Sequence, residues 1–229
     1  MSFYCKNLKI ETLDSTLVNI NFHIKHSLAL VGESGSGKSL TLKALLGLTP
    51  KSLKVSLDYE ATFKLERGKT VAFVPQNPFT ALSPLTKIED QFFHKEAAHL
   101  MDLVKLKPSL LKSFPPELSG GQLQRIVIAI ALSANPRLVL LDEPTTALDT
   151  ETRSSILEML RKLQEELGFV MLFVTHDMHS AMSICEDIAI LQKGLIVEEG
   201  SMEKTINHPS HSYTKALLEA GFANRGFRT

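Results

Sequence analysis

The chain has no tryptophan and only two cysteines, Cys5 and Cys185, far apart and in no CxxC pattern. That scarcity excludes a disulfide framework or a cysteine-based zinc site and fits a reducing compartment. Net charge is also missing: 25 Lys and Arg balance 25 Asp and Glu, so no electrostatic bias toward nucleic acid follows. No apolar run is long. "IVIAIAL" (126–132) falls far short of the ~20 residues that span a bilayer. The opening "MSFYCKNLKIE" places Lys and Asn too early for a signal peptide. There is no repeat and no low-complexity segment. What remains is 229 residues, 44% of them hydrophobic, enough for one large core, or a core with a small subdomain.

Two kinds of apolar pattern divide this material. In "VNINFHIK", Val18, Ile20, Phe22 and Ile24 alternate with polar residues, which predicts an antiparallel strand covering one side of something. "LALV" (28–31), "VAFV" (71–74), "LVLL" (138–141), "VMLFV" (170–174) and "IAIL" (188–191) are short and unalternating. Strands buried on both faces of a parallel sheet read this way. Helical segments lie between them, notably "TETRSSILEMLRKLQEELG", where Ile156, Leu160 and Leu163 form one stripe. Alternation of this sort predicts an α/β fold. From Pro75 to Leu118 the sequence turns Pro-punctuated and helix-like. The division expected is a single domain over 1–229, its core formed by 1–75 and 119–229, with a small helical subdomain at about 76–118 that extends into the helix opened by "LSGGQ".

"VGESGSGKSL" (31–40) cannot build a core. It matches the phosphate-loop pattern, with Gly32, four free positions, Gly37, Lys38 and Ser39. A buried-type strand precedes it and a helical pattern follows, with Leu40, Ala44, Leu45 and Leu48 in phase. Gly32, Gly35 and Gly37 let the chain curl, so that backbone N–H groups from Ser34 through Leu40 gather around phosphates. The following helix turns its positive end to the same anion. Lys38 then reaches the β- and γ-phosphates, and the Ser39 hydroxyl is placed for Mg²⁺.

Two later stretches extend the reading. "LVLLDEP" ends a buried-type strand in Asp142 and Glu143. A carboxylate there anchors Mg²⁺, the Walker B role, and Glu143 beside it is placed to orient or deprotonate an attacking water. "LSGGQLQR" opens a helix with Ser119, Gly120, Gly121 and Gln122. This second donor-rich helix start is more than one nucleotide easily uses from one chain.

"LSGGQ" resembles the signature of the ATP-binding-cassette (ABC) ATPases, in which it clasps the γ-phosphate of ATP on a partner's phosphate loop. The resemblance spans essentially the whole chain and implies a P-loop cassette: a mainly parallel core, an N-terminal antiparallel β-subdomain and a small inserted helical subdomain. It implies further that Gln76 in "VPQNP" is the Q-loop residue touching metal and water. Asp149 in "TALD" becomes the D-loop residue crossing a dimer interface, and His176 in "FVTHD" the switch histidine near the γ-phosphate. "QNPFTALSP", "FPPELSGGQLQR" and "HSYTKALL" resemble the peptide/nickel importer branch. An ATPase follows as the implication, binding ATP and Mg²⁺. It pairs head-to-tail with an identical or similar ATPase and drives membrane-spanning permease subunits from the cytoplasmic side, peripheral on the inner face of the membrane.

An ABC ATPase working on nucleic acid or the ribosome is the alternative. Two isolated cysteines, one cassette, no extended heptads and no basic excess weigh against it, so no nucleic-acid partner is expected. One feature departs from the family: "LKIETLDST" (8–16) lacks the aromatic that stacks on adenine, Phe3 and Tyr4 come too early, and Phe22 belongs to an apolar face. Met178, His179 and Met182, and His94, His99, His208 and His211, are read as packing or solvated residues rather than metal ligands.

Overall fold

The computed structural model describes residues 1–93 and 97–223. β1 (Phe3–Glu11), β2 (Thr16–Ile24) and β3 (Ser27–Val31) lead to α1 (Lys38–Leu45), β4 (Lys54–Ala61) and β5 (Val71–Val74). Next come α2 (Ala97–Leu103), α3 (Gly120–Leu132), β6 (Leu138–Asp142) and α4 (Thr150–Leu167). β7 (Val170–Thr175), α5 (Met178–Ile184), β8 (Asp187–Gln192), β9 (Leu195–Ser201), α6 (Met202–Asn207) and α7 (Ser212–Ala223) follow. Contacts gather the chain into two compact units, Met1–Lys64 with Val170–Thr229, and Leu65–Phe169.

In the first unit, β1 pairs antiparallel with β2 on one side and β4 on the other. The alternation expected of β2 is observed: Val18, Ile20, Phe22 and Ile24 are buried and their neighbours exposed. Phe3, Cys5, Leu8 and Ile10 of β1 are buried as well, giving the sheet one dry face. Phe3 stacks on Tyr59 at 5.5 Å between ring centroids. Burial, with Asp58 nearby, pushes the Cys5 thiol up to about 12, and burial pushes Cys185 up as well. Both cysteines are free, buried thiols.

Beside this sheet, β3 runs parallel between β7 and β8, and β9 returns antiparallel along β8. Every residue of β3 and β7 is buried, as unalternating runs require when both faces are covered. One face meets β2, while α1 and α5 pack against β7 and β3. All of these parallel strands end at the same edge, and their exits carry the loops described below.

In the second unit, β5 and β6 run parallel, from Val71 beside Leu138 to Val74 beside Leu141. α3 packs on β5 and α2. The stripe predicted for α4 is found, Ile156, Leu160 and Leu163 being buried with Leu157 and Met159. Arg125 of α3 ties this unit together, donating from Nη1 to the Val104 carbonyl at 3.0 Å and from Nη2 to Ser155 Oγ at 2.9 Å. Among the described residues between 75 and 118 there is no strand, only α2 and short 3-10 turns.

Candidate functional site

The first unit carries the phosphate-loop residues at the exit of β3. Gly35 and Gly37 take φ of +81° and +113°, in the left-handed region that glycine enters without penalty. A Cβ on Gly37 would also stand 2.8 Å from Val18 Cγ2, so the loop lies hard against β2. Ser34, Gly35 and Ser39 are exposed, Gly32 and Ser36 are buried, and Leu40 is half-buried. Lys38 is buried under the loop, its Nζ donating to the carbonyls of Gly32 at 2.7 Å and Glu33 at 2.9 Å. A cation held beneath glycine-rich backbone at a helix start makes an anion site.

Two neighbours hold the loop from below. The Lys193–Gly194 turn between β8 and β9 has φ of 48° and 79°, the twist that suits a tight hairpin. Gly194 donates its N–H to the Ser36 carbonyl at 2.9 Å and accepts the Asn19 N–H at 2.8 Å. A Cβ on Gly194 would overlap the Leu17 carbonyl oxygen, so the turn can approach this closely only as glycine. From α7, the Tyr213 hydroxyl accepts the Glu33 N–H at 3.1 Å. Neither Tyr213, within "HSYTKALL", nor Gly194 carries a local sequence signal of its contact with the phosphate loop.

His176 stands exposed just past β7. Its turn is pinned from both sides. Thr175 Oγ1 accepts the Asp177 N–H at 2.9 Å, and Asp177 caps α5 through the His179 N–H at 3.1 Å and the Ser180 hydroxyl at 2.6 Å. In α5 Met178 is buried and Met182 exposed. His94 lies outside the described residues.

The second unit brings Gln76, Asp142 and Glu143 together at the exits of β5 and β6. Asp142 is the last residue of β6 and half-buried. Glu143 adopts φ of +44°, uncommon for a residue with a side chain and costing of order 1–3 kcal/mol. Its Oε2 accepts from the Gln76 carboxamide at 3.4 Å and the Thr146 hydroxyl at 3.0 Å. A carboxylate steered in this way is fit to take a proton from water.

The start of α3 lies in this unit too. Ser119 and Gln122 cap it reciprocally: Ser119 Oγ accepts the Gln122 N–H at 3.3 Å, and Gln122 Oε1 accepts the Ser119 N–H at 2.9 Å. The two glycines between them differ. A Cβ on Gly121 would press on Thr152 Cγ2 at 2.9 Å, whereas a Cβ on Gly120 would meet no packing neighbour within 4 Å among the described residues. Asp149 is exposed and caps α4 by accepting the Thr152 N–H at 2.9 Å. That backbone hydrogen bond holds its carboxyl below the usual carboxylate range.

The aromatics weighed for adenine separate clearly. Phe3 and Phe22 are buried in the antiparallel sheet, 6.3 Å apart. Tyr4 lies on the outer face, 5.5 Å from the His23 ring. Leu13, in the turn between β1 and β2, is fully exposed.

A strand, a left-handed glycine loop over a buried lysine, and a following helix define a P-loop nucleotide-binding protein of the α/β class. The profile described as ABC transporter matches residues 16–146, and the chain belongs to the ABC transporter family. It is 36% identical over 235 residues to the metal-staphylopine import system ATP-binding protein CntD of Staphylococcus aureus (strain NCTC 8325 / PS 47), covering 90% of this chain and 87% of that one. It is also 36% identical over 230 residues to the oligopeptide transport ATP-binding protein OppD of Bacillus subtilis (strain 168), covering 87% and 64%. Among solved structures it resembles the dimeric post-hydrolysis state of the ATP-binding cassette MJ0796 bound to ADP and Pi. The TM-score is 0.70 at 29% identity, over 88% of this chain and 99% of the other. The mixed α/β cassette expected from sequence is the fold observed.

Proposed function

We propose that this chain is the ATP-binding and hydrolysing subunit of an importer of the peptide and metal-chelate kind, acting from the cytoplasmic face of the membrane. The observation that carries this reading is the buried Lys38 ammonium, drawn under a left-handed glycine loop by the Gly32 and Glu33 carbonyls. Membership of a family whose relatives include an oligopeptide transport ATP-binding protein and a metal-staphylopine import ATP-binding protein supports it. Among the described residues no helix is long and apolar enough to cross a membrane, so on this reading separate permease subunits carry the solute.

Each residue then has a task. Backbone N–H groups of the loop, from Ser34 to Leu40, bind the β- and γ-phosphate oxygens, and Lys38 neutralises part of their charge. The Ser39 hydroxyl, the Asp142 carboxylate and the Gln76 carboxamide are hard oxygen donors of the kind Mg²⁺ takes, and we assign them to that ion. When bound, Mg²⁺ offsets negative charge on the phosphates. Glu143 takes the proton of the attacking water, oriented by Gln76 and Thr146. His176 donates toward the phosphate being released.

Gly120 and its neighbours Ser119, Gly121 and Gln122 face the nucleotide of a second cassette, identical or similar, with Asp149 at the same interface. The open space beside Gly120 favours this role. ATP then closes the head-to-tail pair and hydrolysis releases it, a ligand-driven shift between two states. In this scheme residues 1–229 act as one cassette, with a small helical part at about 76–118.

The test is MgATP binding and phosphate release by the purified chain, then co-purification with permease subunits and measurement of which solute stimulates turnover. Lys38→Ala should lose binding. Stimulation by DNA or RNA, and none by membrane partners, would refute the importer reading.

A further inference from the structure

The backbone of Glu33 is held on both sides of its Cα. Its N–H is bound by the Tyr213 hydroxyl of α7 at 3.1 Å, while the residue's carbonyl is bound by Lys38 Nζ at 2.9 Å. Tyr213 is 180 residues away in sequence and half-buried. We infer that Tyr213 is a positioning residue for the phosphate lysine: it fixes the backbone of Glu33, and Glu33 in turn sets where the Lys38 ammonium rests.

The geometry around Tyr213 supports a fixed support rather than an incidental contact. The start of α7 is clamped by Glu198 of β9. Its Oε1 accepts the Ser210 N–H at 2.7 Å and the Ser210 hydroxyl at 2.8 Å, and its Oε2 accepts the His211 N–H at 3.0 Å. The Tyr213 N–H is bound in turn by His211 Nδ1 at 3.2 Å. β9 belongs to the same hairpin whose Gly194 holds the Ser36 carbonyl. One hairpin therefore grips the loop twice, directly at Ser36 and through α7 at Glu33. The glycines of the loop would otherwise leave its backbone free to wander, and pre-set donors bind a phosphate better than donors that must first be ordered. The phenol acts as a neutral acceptor, since burial raises its pKa above the usual tyrosine value.

This inference rests on the phosphate loop binding ATP, so the experiment separates the two. MgATP and MgADP affinity and steady-state hydrolysis are measured on the full chain for wild type, Tyr213→Phe, Tyr213→Ala and Glu198→Gln. Tyr213→Phe keeps the ring and removes the hydroxyl that accepts the Glu33 N–H. It should raise both dissociation constants and the KM for ATP about threefold to tenfold, the effect of one neutral hydrogen bond. The kcat at saturation should stay within about twofold, and the thermal midpoint without nucleotide should not move. Tyr213→Ala should weaken binding at least as much and lower the midpoint as well. If Tyr213→Phe does not fold, Glu198→Gln decides, because it leaves Tyr213 in place and loosens its segment. Raised KM with unshifted kcat supports the inference, and wild-type kinetics overturn it. Wild-type affinity in Tyr213→Phe beside weak binding in Tyr213→Ala would make the ring a packing element and overturn the inference alone. Absence of MgATP binding by wild type would overturn the functional reading and this inference together.

Discussion

The Gln76 carboxamide and the Glu143 carboxylate meet at 3.4 Å, across the exits of β5 and β6. The bond is long, and its value lies in direction: with the Thr146 hydroxyl at 3.0 Å on the same Oε2, it turns a backbone-strained glutamate to one orientation. Strain of this kind persists only where surrounding contacts over-determine it.

Glu143→Gln should therefore slow hydrolysis by at least about a hundredfold, within the ~10² to 10⁴ of general-base contributions, while MgATP binding survives. The substituted protein should accumulate as a nucleotide-bound dimer. Phosphate release and ATP-dependent dimerisation by light scattering check this. Wild-type turnover would move the base to another residue.

Gly120 and Gly121 should part company under mutation. Gly121→Ala forces a methyl toward Thr152 Cγ2 at 2.9 Å and should cost about 1–3 kcal/mol of stability, the range for overpacking. At Gly120 a Cβ points into open space among the described residues, so Gly120→Asp should fold like wild type and bind ATP as a monomer. On the proposed head-to-tail pairing, hydrolysis should be lost, because the new anion would face the partner's γ-phosphate. For a homodimer, mixing Gly120→Asp with Lys38→Ala chains should restore one competent site and part of the activity. Weak ATP binding by monomeric Gly120→Asp would place the signature in the chain's own site.

With Phe3 and Phe22 buried and no aromatic between Leu8 and Thr16, the triphosphate should supply most of the binding free energy. ATP and GTP should compete within about tenfold, or about 1.4 kcal/mol. A thousandfold preference for ATP in a competition assay would show that Tyr4 or another ring reaches the base.

Acid should loosen α7 through Glu198. Burial pushes this carboxyl up, but the Ser210 N–H, the Thr214 side chain, the His211 N–H and the Ser210 hydroxyl more than offset it and bring it down to about 2. A depressed folded pKa contributes stability that is complete above the unfolded value, and this is lost as pH falls through the folded one. The thermal stability of wild type should exceed that of Glu198→Gln near neutral pH. The difference should shrink from about pH 4.5 downward and be nearly gone by about pH 2. A gap that stays constant with pH would mean that the carboxylate charge is not what holds the segment.

The parallel core was legible because continuous runs such as "VMLFV" can be satisfied only by burial on both faces, and every residue of β7 is buried. β2 was legible through its period of two. β4 and β9 were not. Lys54, Asp58, Glu198 and Glu199 sit in strands with no fully buried position, so little apolar signal marks them. The loop residues could be read because their spacing is local, within eight positions. Tyr213 and Gly194 reach the loop through tertiary folding, and no periodicity announces a partner 180 residues away. The Gly120–Gly121 pair shows the same limit: identical letters, one packed against Thr152 and the other with open space at its Cβ position among the described residues.

The Lys193–Gly194 turn bears on how this protein can be engineered. Exposed hairpin tips are ordinarily the safest places to insert a tag, a fluorophore-bearing cysteine or a new chain terminus. Here the tip is wedged against Leu17 and joined to the Ser36 carbonyl, so a graft at 193–194 would pry open the nucleotide cradle from behind. A reporter placed there would perturb what it was meant to observe. The exposed turn at Pro50–Lys51, after α1, is the better attachment point.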